Sequence, residues 1–181
     1  MNARILVSSI VLVLASCGDS SASATAAGST PAANTAAPAS AQVGYDLRRL
    51  RPRDEEKLAD MFERMRKQAL AEGKHVAVLF SADWCEPCRT LELELGNTAD
   101  ASAIGDVRIF ELKEEDWEAV TRMDEFSDLR KRWDARADSY PLFITLDATG
   151  AKLEEMREAI DRLGKEGVEP TVPNWLRGLS G

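Results

Sequence analysis

The stretch Val76-Ala77-Val78-Leu79-Phe80-Ser81-Ala82-Asp83-Trp84-Cys85-Glu86-Pro87-Cys88 decides how this chain folds. Its first five residues are an unbroken apolar run rich in β-branched and aromatic side chains, which suits a strand covered on both faces. Ser81, Ala82 and Asp83 break the run. Leu91, Leu93 and Leu95 follow Pro87, and proline fits the first turn of a helix, where its missing N–H has no partner to lose. The pattern places Cys85 at or just before a helix N-terminus and Cys88 one turn inside. Two thiols so spaced can close into a disulfide and reopen. Free N–H groups and the positive end of the helix dipole favour the Cys85 thiolate. Cys85 is therefore expected as an exposed nucleophile and Cys88 as the thiol that resolves the mixed disulfide.

Asp83 and Glu86 flank Cys85, and negative neighbours raise a thiol pKa; Arg89 acts the other way. A less stabilised thiolate makes a better electron donor, which points to a reductant or isomerase rather than a strong oxidant. A structural zinc site needs four ligands, and beyond the pair the chain offers only Cys17 and its single histidine, His75. His75 precedes the strand, at the far end from the cysteines, and is expected as a strand-edge polar residue. A static disulfide across two residues closes too short a loop to stabilise much.

The block from Lys74 to Leu91 resembles the active-site segment of the thioredoxin-like superfamily, with Trp84 ahead of the cysteine pair and Pro87 in the third slot. The Cys-Glu-Pro-Cys form resembles exported reductases that serve cytochrome c maturation. Ser81 to Cys85 resembles the periplasmic thioredoxin-like domains of disulfide reductase hubs. Downstream, Tyr140-Pro141 precedes the apolar run Leu142-Phe143-Ile144-Thr145-Leu146. The resemblance implies that Pro141 is cis, that Tyr140 and Pro141 dock the substrate chain, and that Trp84 shields the pair. It covers roughly residues 54 to 181. Two positions depart from the family. Leu79 stands where a buried Asp usually transfers a proton to the resolving thiol, leaving Glu86 or water for that task. Tyr140 is bulkier than the usual residue.

Residues 1–16 have the form of an export signal. Arg4 supplies a positive region, and Ile5 to Ala15 is apolar apart from two serines, too short for a stable membrane-spanning helix. Leu14-Ala15-Ser16-Cys17 resembles the bacterial lipoprotein box, which implies that Cys17 is lipidated and becomes the anchored N-terminus; several acyl chains hold firmly. Asp19 lies one place later than in lipoproteins kept at the inner membrane, so the outer membrane is favoured on the periplasmic side. Residues 17–44 are expected as the lipidated Cys and a disordered Ser/Ala/Pro-rich tether. Residues 45–181 are left for one thioredoxin-like domain.

Acidic residues number 31 against 23 basic, and removing residues 1–16 takes away only Arg4. This balance excludes nucleic acid as a partner and argues against an anionic lipid surface. Arg48, Arg49, Arg51 and Arg53 are expected on a solvated approach to a helix. That helix is expected over 54–71, capped by Asp54 and ended near Gly73, with Leu58, Met61, Phe62, Met65 and Ala69 on one stripe. Val107 to Leu112 alternates as a strand does. Trp117 to Trp133 has helical spacing, Asp147 to Gly150 a turn, and 151–163 a short strand running into an inserted helix. Thr171 caps a last helix with Val172, Trp175, Leu176 and Leu179. An insertion is expected between Lys113 and Asp124. The fold expected is α/β and thioredoxin-like, a central mixed sheet with helices on both faces.

The function expected is thiol–disulfide exchange through Cys85 and Cys88, without organic cofactor or metal. Partners would be cysteine-bearing exported proteins and a membrane disulfide reductase as electron donor. The alternatives are a copper(I)-binding module that uses the same thiolates, and a redox-silent binding domain.

Overall fold

The computed structural model describes residues 46–97, 106–134 and 139–180. The export signal, Cys17 and the tether lie outside the described residues. The elements are β1 (Asp46–Arg49), α1 (Leu58–Ala71), β2 (His75–Ser81), α2 (Glu86–Asn97), β3 (Val107–Lys113), α3 (Glu114–Glu118), α4 (Met123–Lys131), β4 (Leu142–Leu146), β5 (Lys152–Glu155), α5 (Met156–Lys165) and α6 (Val172–Arg177).

The strands form one mixed sheet in the order β1-β3-β2-β4-β5. β1 and β2 run parallel to β3; β4 runs antiparallel to both β2 and β5. Side chains alternate across a strand, and β2 divides its apolar run accordingly. Val76, Val78 and Phe80 enter a core with Leu58, Met61 and Phe62 of α1, Trp117 of α3, and Phe126 and Leu129 of α4. Ala77 and Leu79 enter the opposite core with Leu91 and Leu95 of α2, Ala159 and Leu163 of α5, and Trp175 and Leu176 of α6. Helices thus cover both faces, as the apolar run requires. His75 opens β2 opposite Val107 and is half-buried.

Three expectations need correction. The first helix begins at Leu58, not Asp54. The Leu58 N–H donates to Glu125 Oε2 at 2.8 Å, so a carboxylate on α4 takes the place of a local cap. Hydrogen bonding from Arg122 first, then from the Leu58 N–H and Lys57, holds the Glu125 carboxyl down at about 2. Arg122 also donates to the carbonyls of Arg53 and Glu56, which pins the approach to α1 in a non-helical path.

Second, Trp117 to Trp133 is not one helix. α3 stops at Glu118, and Thr121 adopts φ 56°, in the left-handed region. Trp117 lies before the break, Phe126 and Leu129 after it, and all three reach the same core. Hydrophobic phase is kept across the break, which is why the spacing hides it. Val120, between the two helices, is exposed. α3 and the turn after it lie within the segment from Lys113 to Asp124.

Third, Arg48 and Arg49 do not lie on a helix approach; they end β1, an edge strand. Across the strand pair, Arg108 is only 2 % exposed. Its guanidinium donates to Asp46 Oδ2 and Glu72 Oε2, both at 2.6 Å. A buried charge needs such partners.

Residues 151–163 form β5 and then α5, joined by a capping box in which the Glu155 N–H donates to Glu158 Oε2 at 2.9 Å. Thr171 Oγ1 accepts the Asn174 N–H at the start of α6. Gly73 (φ 74°) follows the end of α1, where that backbone conformation favours glycine.

Candidate active site

β2 delivers Ser81 and Ala82, both buried, to the N-terminal end of α2. Cys85 immediately precedes α2 and Cys88 lies in its first turn, and a disulfide joins them. The Cys88 N–H points at Cys85 Sγ, 3.2 Å away, and the Cys85 carbonyl accepts from Cys88 and Arg89. An N–H at the head of a helix is what a thiolate on Cys85 needs.

The flanking charges are partnered. Lys113 Nζ bonds Asp83 Oδ1 at 2.7 Å and holds that carboxyl below its usual range. Glu86 is exposed and paired with Arg89. Both negative flanks therefore carry a cation, which weakens the expectation that they raise the Cys85 pKa. Glu86, named above as a stand-in proton acceptor, lies on the surface at the mouth of a groove beside the pair.

Two further acids, one half-buried and one buried, stand on α2 and β3. Glu92 follows Cys88 by four residues on α2, one turn along the same face. Its carboxylate accepts from Ser81 Oγ at 2.6 Å and from Lys113 Nζ at 3.0 Å. Glu111, 7 % exposed, stands on β3 directly opposite Leu79. Burial first, and then the Glu92 carboxylate, push the Glu111 carboxyl up, against Lys113 and Arg49. The four-residue spacing of Glu92 was open to view in the sequence; the placement of Glu111 needs the strand register.

The Tyr140–Pro141 peptide is cis, and Pro141 is buried where it enters β4. Tyr140 packs against the small cluster of Ala82, Cys85 and Cys88. Cys85 is only 4 % exposed and Cys88 0 %, so the nucleophile is not openly exposed as expected. Trp84, expected to shield the pair, is 67 % exposed. Its ring meets Tyr140 edge-on at 5.3 Å, and its indole N–H donates to Glu114 Oε2 at 3.2 Å. Glu115 Oε1 accepts the Asp83 N–H at 2.7 Å, so α3 buttresses the loop ahead of the cysteines. Nothing in the sequence marked Glu114 and Glu115 for this role.

Beside the pair opens a groove of about 930 Å³. Glu86, Pro87, Tyr140 and Pro141 form its near end; Leu91, Leu95, Met156, Ile160 and Val172 line the rest.

The profile of the family described as thioredoxin-like domain matches residues 62–161, more than half of the 181 residues. The chain belongs to the thioredoxin-like family. Three solved structures are similar to this thioredoxin-like chain. A poplar thioredoxin h is 17 % identical, with 67 % of this chain and 92 % of that one covered at a TM-score of 0.42. Trxlp from Edwardsiella tarda is 20 % identical, with 65 % and 91 % covered at 0.37. A disulphide isomerase from Xylella fastidiosa is 21 % identical, with 72 % and 94 % covered at 0.41. No protein of curated function matches the sequence.

Proposed function

We propose that this chain is an exported thiol–disulfide oxidoreductase, tethered to a membrane through lipid on Cys17, that reduces or isomerises disulfides in exported proteins. One observation carries the chemistry: a cysteine disulfide at the head of α2, with a helix N–H directed at the Sγ of Cys85. In the reduced protein, the Cys85 thiolate attacks a client disulfide. The client S–S bond breaks, one client thiolate leaves and a mixed disulfide forms. Cys88 then gives up its proton and attacks Cys85 Sγ; the second client thiolate leaves and the Cys85–Cys88 bond forms again. Two electrons pass to the client, and a membrane disulfide reductase restores them. Reduction of insulin by the isolated protein, with a reductant to recycle it, tests this reading; failure to turn over overturns it.

The export reading rests on Arg4, the apolar run to Ala15 and the position of Cys17. In a bacterial cell with two membranes, Cys17→Ser moves most of the protein from the membrane fraction to the soluble fraction. Retention of that variant on the membrane overturns the lipid anchor.

The proton of Cys88 goes, in this reading, to the buried carboxyl of Glu111, which has the Glu92 carboxylate as a neighbour. Burial first, and then Glu92, raise the Glu111 carboxyl, so Glu111 holds a proton to a higher pH than an exposed Glu does. Glu111→Gln removes that acceptor. Client release from a preformed mixed disulfide then slows about tenfold and the pH limb that Glu111 sets moves. The first attack is little changed. Stopped-flow release across a pH series checks this; an unmoved limb assigns the proton to water.

A further inference from the structure

Three consecutive residues where β3 runs into α3 grip the two residues ahead of Cys85. The Cys85 N–H donates to the Ala82 carbonyl at 3.1 Å and closes a four-residue turn with Asp83 and Trp84 at its centre. Lys113 Nζ bonds the Asp83 carboxylate, Glu114 accepts the Trp84 indole N–H, and Glu115 Oε1 accepts the Asp83 backbone N–H at 2.7 Å. The first two contacts hold side chains; the third holds the main chain. Glu115 Oε2 is buried and has no hydrogen-bond partner. Burying a carboxylate oxygen in that way is unfavourable, and the other oxygen of the same carboxylate is bonded to the turn. Asp83 fills the second place of the turn, where proline is favoured because its ring fixes φ. Aspartate leaves φ free, and here its N–H is tied to α3 instead.

We propose that Glu115 is a positioning residue for thiol exchange: its bond to the Asp83 N–H fixes the turn that holds Cys85 Sγ at the head of α2, as a proline ring at position 83 would. This rests on the redox reading of the pair. Without that bond the turn shifts, and Cys85 Sγ leaves the Cys88 N–H, 3.2 Å away, that serves its thiolate. Charge alone has the opposite sign. Removing an acid beside the loop favours the Cys85 thiolate, whereas losing the hydrogen bond disfavours it.

The test follows alkylation of Cys85 by iodoacetamide in the reduced full chain across a pH series, with tandem mass spectrometry locating the adduct. Altered access scales the rate at every pH; altered thiolate stability moves the midpoint. The variants are compared in charge-matched pairs. Glu115→Ala and Glu115→Gln both lose the charge, and glutamine keeps an acceptor oxygen. Alanine moves the midpoint up by about one pH unit, a tenfold loss of thiolate at neutral pH; glutamine leaves it at or below the wild-type value. Asp83→Pro/Glu115→Ala and Asp83→Ala/Glu115→Ala lose the same two carboxylates, and the first gains the ring. Its midpoint lies about one unit below that of the second. The other charged groups round the pair, Glu86 with Arg89, Glu92 with Lys113, Glu111, Glu114 and Arg130, are common to all four variants. Glu115→Met, which fills the space without an acceptor, replaces Glu115→Ala should that variant not fold. Equal midpoints within either pair overturn the proposal. Failure of the redox reading looks different: wild type then does not reduce insulin, while the order of the midpoints still decides the role of Glu115.

Discussion

Cys85→Ser reduces insulin no faster than buffer, while Cys88→Ser makes one attack and stops. A serine hydroxyl at position 85 is not ionised near neutral pH, and the helix N–H that serves a thiolate there has no nucleophile to stabilise. Cys88, fully buried, has no direct path to a client. Its removal leaves the first exchange intact and deletes, among the described residues, the one thiol placed to break the mixed disulfide from within. Cys88→Ser therefore accumulates a covalent complex that non-reducing electrophoresis separates and a thiol reductant dissolves. Mass spectrometry of the trapped species identifies the clients. Full turnover by Cys85→Ser, or no adduct in Cys88→Ser, removes the division of labour between the two sulfurs.

Phe80→Ala costs about 4 kcal/mol of stability, the usual size for emptying a large aromatic site in a close-packed core. Phe80 has no exposed surface. It packs edge-on to Phe126 at 5.3 Å and tilted to Trp133 at 6.3 Å, and it pairs with Leu112 and Leu142 on the neighbouring strands. No other element can fill that space without moving α4. For a domain of this size the midpoint of thermal unfolding falls by roughly 10 °C. Urea titration gives the free energy, and Phe80→Leu, which keeps most of the volume, loses about 1 kcal/mol. An alanine variant as stable as wild type would mean that the strand end beneath Ser81 and Cys85 is held by something other than this aromatic packing.

The features legible in the sequence were those set by local pattern. The β2 run and the proline after it announced a buried strand and a helix head, and the cysteines fell where the two meet. The strand running into a helix expected over 151–163 is β5 and α5, and Thr171 marked the start of α6. Features set by distant partners were not legible. β1 has one apolar residue in four, and Leu47 is exposed, so no alternation betrays it; its place comes from Arg108, 62 residues from Asp46. The start of α1 is set by Glu125, 67 residues from Leu58. The covering of Cys85 depends on Tyr140, which only the folded sheet brings to the motif. Glu111 reads as an ordinary alternating strand residue until its register with Leu79 is known.

The Arg108 pairings bear on mechanics. β1 is the first of the described elements, so tension arriving along the chain from its amino side reaches β1 before the others. β1 lies beside β3 alone, and four paired residues would slide under load. Arg108 rivets that edge: one guanidinium grips Asp46 on the strand being pulled and Glu72 at the foot of α1. Tension entering at the amino end is thereby shared with a helix, at the margin of the sheet farthest from β5, and the sulfur chemistry two strands away is spared the strain.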